Sequence, residues 1–259
     1  MCRLCFVPGA YLTGNSQPGT YDDPTRSKGV SMKLHGEFAS PFVGRVVLFA
    51  RLKGLTLVPT LATNYLEGGT RTAAFLAMNP VGRMPVLETD TGAIPESDVI
   101  CEYLEDAHPG KGLPGHAHAR AKARLLSRLH DLYLIPHVLA LHHFSPHTRF
   151  YDPSKHDPVA IEKIKADITT AFGYIEKLMV ADPYAAGAAP SLADCALLPT
   201  FSMLRGTLLP EFSIDDPTAG QGKLGRWWKT MAADPLIARF RAEYDQAFDA
   251  FLRSIAPTK

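Results

Sequence analysis

Cysteine is scarce in this chain: four in 259 residues, Cys2, Cys5, Cys101 and Cys195. That is too few and too scattered for a disulfide scaffold, and it fits a reducing compartment. Long apolar runs are missing too, so no membrane-spanning helix is expected. Neither sign of charge is in excess: 27 Lys and Arg stand against 26 Asp and Glu, a formal net charge of +1. Nothing in that balance calls for nucleic acid or an anionic membrane as partner. The apolar patch from Leu4 to Ala10 is broken by Pro8 and Gly9, so no secretory leader is expected and the expected location is the cytoplasm. What remains is ordinary: 46% apolar and 20% charged residues, enough for one sizeable core or two modest domains.

Residues 1–31 differ from the rest. GNSQPGTYDDPTRSKG, from Gly14 to Gly29, is turn-rich and has no period, which predicts a disordered extension or a start set too early. Cys2 and Cys5 have Cys-x-x-Cys spacing, but no strand precedes them and no second pair follows, so redox or zinc chemistry is not expected there.

From Met32 the pattern is regular. Strands are expected over Met32–Phe38, Leu55–Pro59 and Pro85–Thr89, with a return strand from Ala93-Ile94 after the turn Asp90-Thr91-Gly92. Helices are expected over Pro41–Lys53, closed by Gly54, over Arg71–Met78, ended by Asn79-Pro80, and over Glu96–Asp106, with Val99, Ile100, Tyr103 and Leu104 on one face. The order β-α-β-α-β-β-α makes a small α/β domain over residues 32–107. Residues 108–116 read as a linker. Residues 117–259 read as all-α, with a kink at Pro136, a helix opened by Asp157-Pro158 and another by Ser191. Ser191-Leu192-Ala193-Asp194 has the form of a capping box and is read as structural. Trp227 and Trp228 are read as bundle packing.

Three stretches could carry chemistry. In GEFASPFVGRV, from Gly36 to Val46, Ser40 precedes a proline that suits the first helical position. Ser40 is a favoured cap, and equally a hydroxyl beside the positive end of a helix, where an anion such as a thiolate is stabilised. No base stands beside it in sequence, so it reads as a hydrogen-bond donor rather than a nucleophile. In Arg83-Met84-Pro85, a cis Pro85 at a strand start would turn the Met84 backbone outward toward an extended ligand, and Arg83 could reach a carboxylate. In Pro95-Glu96-Ser97-Asp98, Ser97 can cap a helix and Glu96 could meet an ammonium. The bland readings are a surface arginine, an ordinary strand and an ordinary helix start. Tyr133, His137, His142, His143 and His147 lack metal-ligand spacing, and no metal is expected.

GEFASPFVGRVVLFARLKGL together with NPVGRMPVLETDTGAIPESDVICEYLED resembles the glutathione S-transferase family, and the resemblance runs from Met32 to about Ile255. It implies a thioredoxin-like first domain that holds glutathione and a helical second domain that supplies the pocket for a small apolar electrophile. By the same resemblance Ser40 donates its hydroxyl to the glutathione thiolate, and Phe42 borders the sulfur. Met84, beside a cis Pro85, pairs its backbone with the cysteinyl part. Glu96 and Ser97 hold the γ-glutamyl end, and Arg83 approaches the glycyl end. Tyr133 and His137, one turn apart, would touch the second substrate. A homodimer is implied. Serine at position 40 resembles the theta-, phi- and zeta-like branches and leaves the subclass open. Isomerisation, dehalogenation and ether cleavage start from the same sulfur and stay open, as does a non-catalytic binding protein. A disulfide oxidoreductase would need a cysteine at position 40.

Overall fold

Leu34 and Leu87 sit opposite each other across an antiparallel pair, and both are buried. Around them the computed structural model builds a three-stranded sheet of β1 (Lys33–His35), β2 (Val86–Thr89) and β3 (Gly92–Pro95) in the order β1-β2-β3. The hairpin register runs from Val86↔Pro95 to Thr89↔Gly92. The structure describes residues 31–147 and 151–256. The Cys2–Cys5 pair, and the expected extension apart from Ser31, lie outside them.

The strand expected over Leu55–Pro59 is not formed as such. A single parallel bridge, His35↔Thr60, takes its place, with Thr60 N–H donating to Leu34 O and Gly36 N–H to Thr60 O, each at 2.9 Å. Pro59 has no N–H to give a ladder, which confines the pairing to the residue after it.

Helix α1 (Pro41–Leu52) follows β1, α2 (Ala73–Met78) follows two short 3₁₀ turns, and α3 (Ser97–Ala107) follows the hairpin. The inward line of α3 is Ile100, Cys101 and Leu104; Val99, expected beside them, is 54% exposed. The regular elements of the second domain are, among the described residues, all helical, the α-helices being α4 (Ala117–Leu129), α5 (Ile135–His142), α6 (Pro158–Leu178), α7 (Leu192–Gly206), α8 (Leu208–Glu211), α9 (Lys223–Ala233) and α10 (Pro235–Ser254). Between α4 and α5 the chain makes a π turn, His130–Leu134. Pro136 accounts for it, since its ring and missing N–H disturb the turn before it.

α1 packs against α3 on one side and against α7 and α10 on the other. It is therefore buried nearly all round, with Val43, Val46, Val47, Leu48, Phe49 and Ala50 all in the core. Burying each large apolar side chain contributes about 1.5–3 kcal/mol. Gly44 permits the contact: a Cβ there would lie 3.1 Å from Pro199 Cγ and 3.0 Å from Tyr244 Cε2. The capping box of α7 is present. Its Asp194 also accepts from Ala185 N–H and from Trp227 Nε1, so one buried carboxylate ties three segments together.

Candidate active site

Ser40 is the N-cap residue of α1, with φ −73° and ψ 129°, and Pro41 begins the helix. Its carbonyl accepts the Gly44 N–H at 2.8 Å and its N–H donates to Glu37 O at 3.0 Å. Its side chain makes no cap hydrogen bond. Among the described residues the hydroxyl is thus left without a cap partner, at a helix start whose first amides have none within the helix. Phe42, in the first turn, meets His130 edge-on at 6.3 Å and lies under the Arg45 guanidinium at 5.7 Å.

The Met84–Pro85 bond is cis. The ladder begins at Val86, so the Met84 backbone stands just outside it. The Met84 sulfur accepts the Glu37 N–H at 3.2 Å, which joins this turn to the loop before Ser40. Buried Asn79 shapes the approach: its Nδ2 donates to Arg83 O at 2.7 Å and its Oδ1 accepts from Val81 N–H at 3.1 Å. Gly82 has φ +66°, and a Cβ there would lie 3.0 Å from the Thr70 carbonyl oxygen, which favours glycine. Arg83 is exposed.

Glu96, not Ser97, is the N-cap of α3, and it holds φ +70°. A non-glycine residue in that region is strained and persists only where its surroundings fix it. Glu96 is exposed, whereas Ser97, the first helical residue, is buried.

Between these two helix starts lies a charged cluster. Arg45, in α1, is 1% exposed. Its Nη1 and Nη2 donate to Asp131 Oδ2 and Oδ1 at 3.0 and 2.5 Å, and Nη1 lies 3.6 Å from Asp98. His130 Nδ1 is 2.8 Å from both Arg45 Nη2 and Asp131 Oδ1, and one nitrogen cannot accept from the first while donating to the second. Burial lowers the His130 pKa, so the ring is neutral near pH 7. Nδ1 then accepts from Arg45, and Nε2–H donates to Thr200 Oγ1 at 2.7 Å. Burial alone would raise the Asp131 carboxyl; hydrogen bonding and the guanidinium charge hold it well below the usual carboxylate range. The sequence reading missed this cluster. Its signal was one arginine in an otherwise apolar stretch, VGRVVLFA.

Two cavities flank the end of α10. One, of about 310 Å³, has Phe38, Ala39 and Leu66 on one side and Ala247, Ala250 and Phe251 of α10 on the other. The second, of about 490 Å³, lies by His142, Ser145, Glu211 and Leu252. Tyr133 and His137 line neither. Tyr133 is 49% exposed and meets Tyr174 of α6 edge-on at 6.1 Å, and His137 Nδ1 lies 3.6 Å from Asp167.

Comparison with known proteins bears on the family and the fold. The profile described as glutathione S-transferase, N-terminal domain, matches residues 34–112, and the one described as glutathione S-transferase, C-terminal domain, matches residues 139–235. The chain is 29% identical over 229 residues to a glutathione S-transferase of Pseudomonas putida, covering 88% of this chain and 99% of that one. It is 28% identical over 209 residues to glutathione S-transferase omega-1 of Sus scrofa, covering 78% of this chain and 77% of the relative. A glutathione transferase of Phanerochaete chrysosporium, solved with oxidised glutathione, shares the fold with a TM-score of 0.69 at 21% identity, over 85% of this chain and 98% of that one.

Proposed function

The chain belongs to the glutathione S-transferase superfamily and is a glutathione-dependent transferase, and from that premise we propose which of its groups do the work. The observation that carries the proposal is the uncommitted Ser40 hydroxyl at the start of α1. A thiol of ordinary pKa, about 8.5, is mostly protonated at neutral pH. A donated O–H and the positive end of α1 both favour the thiolate. Ser40 therefore holds the sulfur of glutathione as an anion, and Phe42 covers it on the second-domain side. Met84 offers its backbone to the cysteinyl part, Glu96 and Ser97 take the γ-glutamyl end, and Arg83 takes the glycyl carboxylate.

The cavity beside Ala39 is the place for the electrophile. Its wall carries the apolar Phe38, Leu66, Ala247, Ala250 and Phe251 together with the polar Glu37, Asn64 and Ser254, and it adjoins the residue before Ser40. The sulfur forms a bond to an electrophilic carbon. In a substitution the leaving group departs with its bonding pair; in an addition the neighbouring carbon takes a proton from water. The protein supplies ionisation, orientation and a berth for the electrophile.

A homodimer is proposed with it. Leu125, Leu132 and Leu139, of α4, the π turn and α5, are exposed, as are Tyr133 and Tyr174. Exposed large apolar side chains in this number are suited to burial against a second copy. Sedimentation of the full chain should give twice the monomer mass, and charged residues at Leu132 and Leu139 should halve it. The sparse, scattered cysteines of the sequence favour the cytoplasmic placement.

The test of the activity is retention on immobilised glutathione, followed by turnover with a panel of aryl halides, epoxides, activated alkenes and cis-enoyl acids. Retention with turnover on at least one class is expected. Retention without turnover on any class would favour a binding protein, and no retention would remove the site.

A further inference from the structure

We propose that Arg45 is a positioning residue for the glutathione site, acting through Asp98 to hold the first turn of α3 in register with the first turn of α1. The inference rests on the site reading above and adds a component to it.

One buried cation reaches three parts of the molecule. It leaves α1 five residues after Ser40. It pairs with Asp98 at 3.6 Å, the residue directly after Ser97. It grips Asp131 of the second domain through both terminal nitrogens. Asp98 is held from a second side as well, since Ser127 of α4 donates its hydroxyl to Oδ1 at 2.6 Å. Arg45 and Asp98 thus link the two helix starts that carry Ser40 on one side and Glu96 and Ser97 on the other.

Stability alone does not account for the arginine. A buried ion pair contributes little net free energy compared with a well-packed apolar side chain. Arg45 Nε is moreover buried without a hydrogen-bond partner among the described residues, a cost an apolar residue would avoid. What the guanidinium supplies is direction. Its planar fork fixes Asp131 in one orientation and leaves Nη1 facing Asp98. Glu96, two residues before Asp98, holds φ +70°, a conformation that needs support from its neighbours. The Asp98 tether supplies that support, so its loss should loosen the grip on the γ-glutamyl end while leaving the electrophile cavity, which shares no residue with the cluster, as it was.

The experiment uses the full chain with Asp98→Ala, Arg45→Gln, Arg45→Lys and the double variant of Asp98→Ala with Arg45→Gln. Melting, kcat and the separate KM values for glutathione and for the best electrophile of the panel are measured. Asp98→Ala should melt cooperatively and raise the glutathione KM about tenfold, with the electrophile KM nearly unchanged. Arg45→Gln should raise it similarly, and the double variant by clearly less than the product of the two, because they share one contact. Arg45→Lys should recover part of the loss, since it keeps the charge without the fork. A purely structural role would lower the melting temperature and the active fraction without separating the two KM values. Asp98 is part-exposed, with 26% of its side chain accessible, so its variant decides the matter even if the arginine variants fail to fold. A folded Asp98→Ala protein whose glutathione KM stays within about twofold of the parent overturns the inference, as do additive effects in the double variant. If the parent chain itself shows no saturation with glutathione, the site reading has failed and the inference falls with it; if the parent saturates, only the clamp is in question.

Discussion

The Tyr244 hydroxyl donates to the carbonyl of Ala39 at 3.1 Å, across 205 residues of sequence. The ring is fully buried and stacked between Phe240 and Phe248, at 5.9 and 6.4 Å, and Phe38 meets it edge-on at 5.8 Å. Burial pushes the Tyr244 phenol far up, so the group remains a donor at any pH the fold tolerates. The last helix of the second domain thereby fixes the peptide that leads directly into Ser40. The same helix forms one wall of the cavity beside Ala39, so the approach to Ser40 and the shape of that cavity share one support.

Tyr244→Phe leaves the Ala39 carbonyl buried without its donor and should cost about 1–3 kcal/mol. Urea unfolding should show a lower midpoint with an unchanged slope. An unshifted midpoint would mean that water reaches that carbonyl and that the bond contributes nothing.

Ser40→Ala should leave stability within about 0.5 kcal/mol of the parent, because the loss of a cap normally costs about 1 kcal/mol through a bond that Ser40 does not make. Its effect should fall on the thiolate. With one donor gone, the pKa of bound glutathione rises, and kcat/KM at pH 6.5 should drop about tenfold or more. Following thiolate absorbance against pH checks this directly; an unchanged midpoint would refute the role given to the hydroxyl.

Ala250→Leu should act on the second substrate alone. Ala247 and Ala250 leave room between α10 and Phe38, and a leucine at 250 takes part of about 310 Å³. The KM for the larger electrophiles should rise severalfold while that for glutathione holds. An unaltered electrophile profile would move the pocket elsewhere, and the Tyr133–His137 face would then be the next place to substitute.

The first domain was legible because its signals are local. Pro41 after Ser40, Asn79-Pro80 before a strand and Asp90-Thr91-Gly92 between two others each fix a turn through backbone geometry that neighbours in sequence dictate. The cis bond before Pro85 and the capping box at Ser191 were visible for the same reason. Positions that depend on packing were not. Val99 has the spacing of a core residue but lies on the outer side of α3. The π turn at His130–Leu134 was not legible either; Tyr133 and His137, which the family resemblance places at the second substrate, meet Tyr174 and Asp167 on α6. Arg45 meets Asp131 across 86 residues, and no period in the sequence encodes that meeting.

The same cluster predicts how the fold responds to acid. His130 is packed among Arg45, Asp131 and Thr200, with Phe42 against its ring. Asp98 is the other charged group close by. Burial holds the folded His130 pKa below its ordinary value, whereas the unfolded chain has an unperturbed histidine of pKa about 6.5. As pH falls below that value, the unfolded state takes up a proton that the folded state refuses, so folding stability falls with it. Asp131 behaves alike at lower pH. Its folded carboxyl lies well below the usual range, so its contribution is complete above the ordinary carboxylate pKa of about 3.9 and is lost as pH drops beneath it. Urea midpoints taken from pH 7.5 to 3 should therefore decline in two stages. His130→Gln, which can still bridge Arg45 and Thr200, should flatten the stage between about pH 6.5 and 5 and leave the acid limb in place; Asp131→Asn should do the reverse, at a lower overall stability because Arg45 loses its partner. A parent protein equally stable at pH 7 and pH 5, with no change on His130→Gln, would show that the folded imidazole takes up its proton as the unfolded one does; a parent more stable at pH 5 than at pH 7 would show that it is charged in the fold, and the donor assignment around Arg45 would have to be reversed.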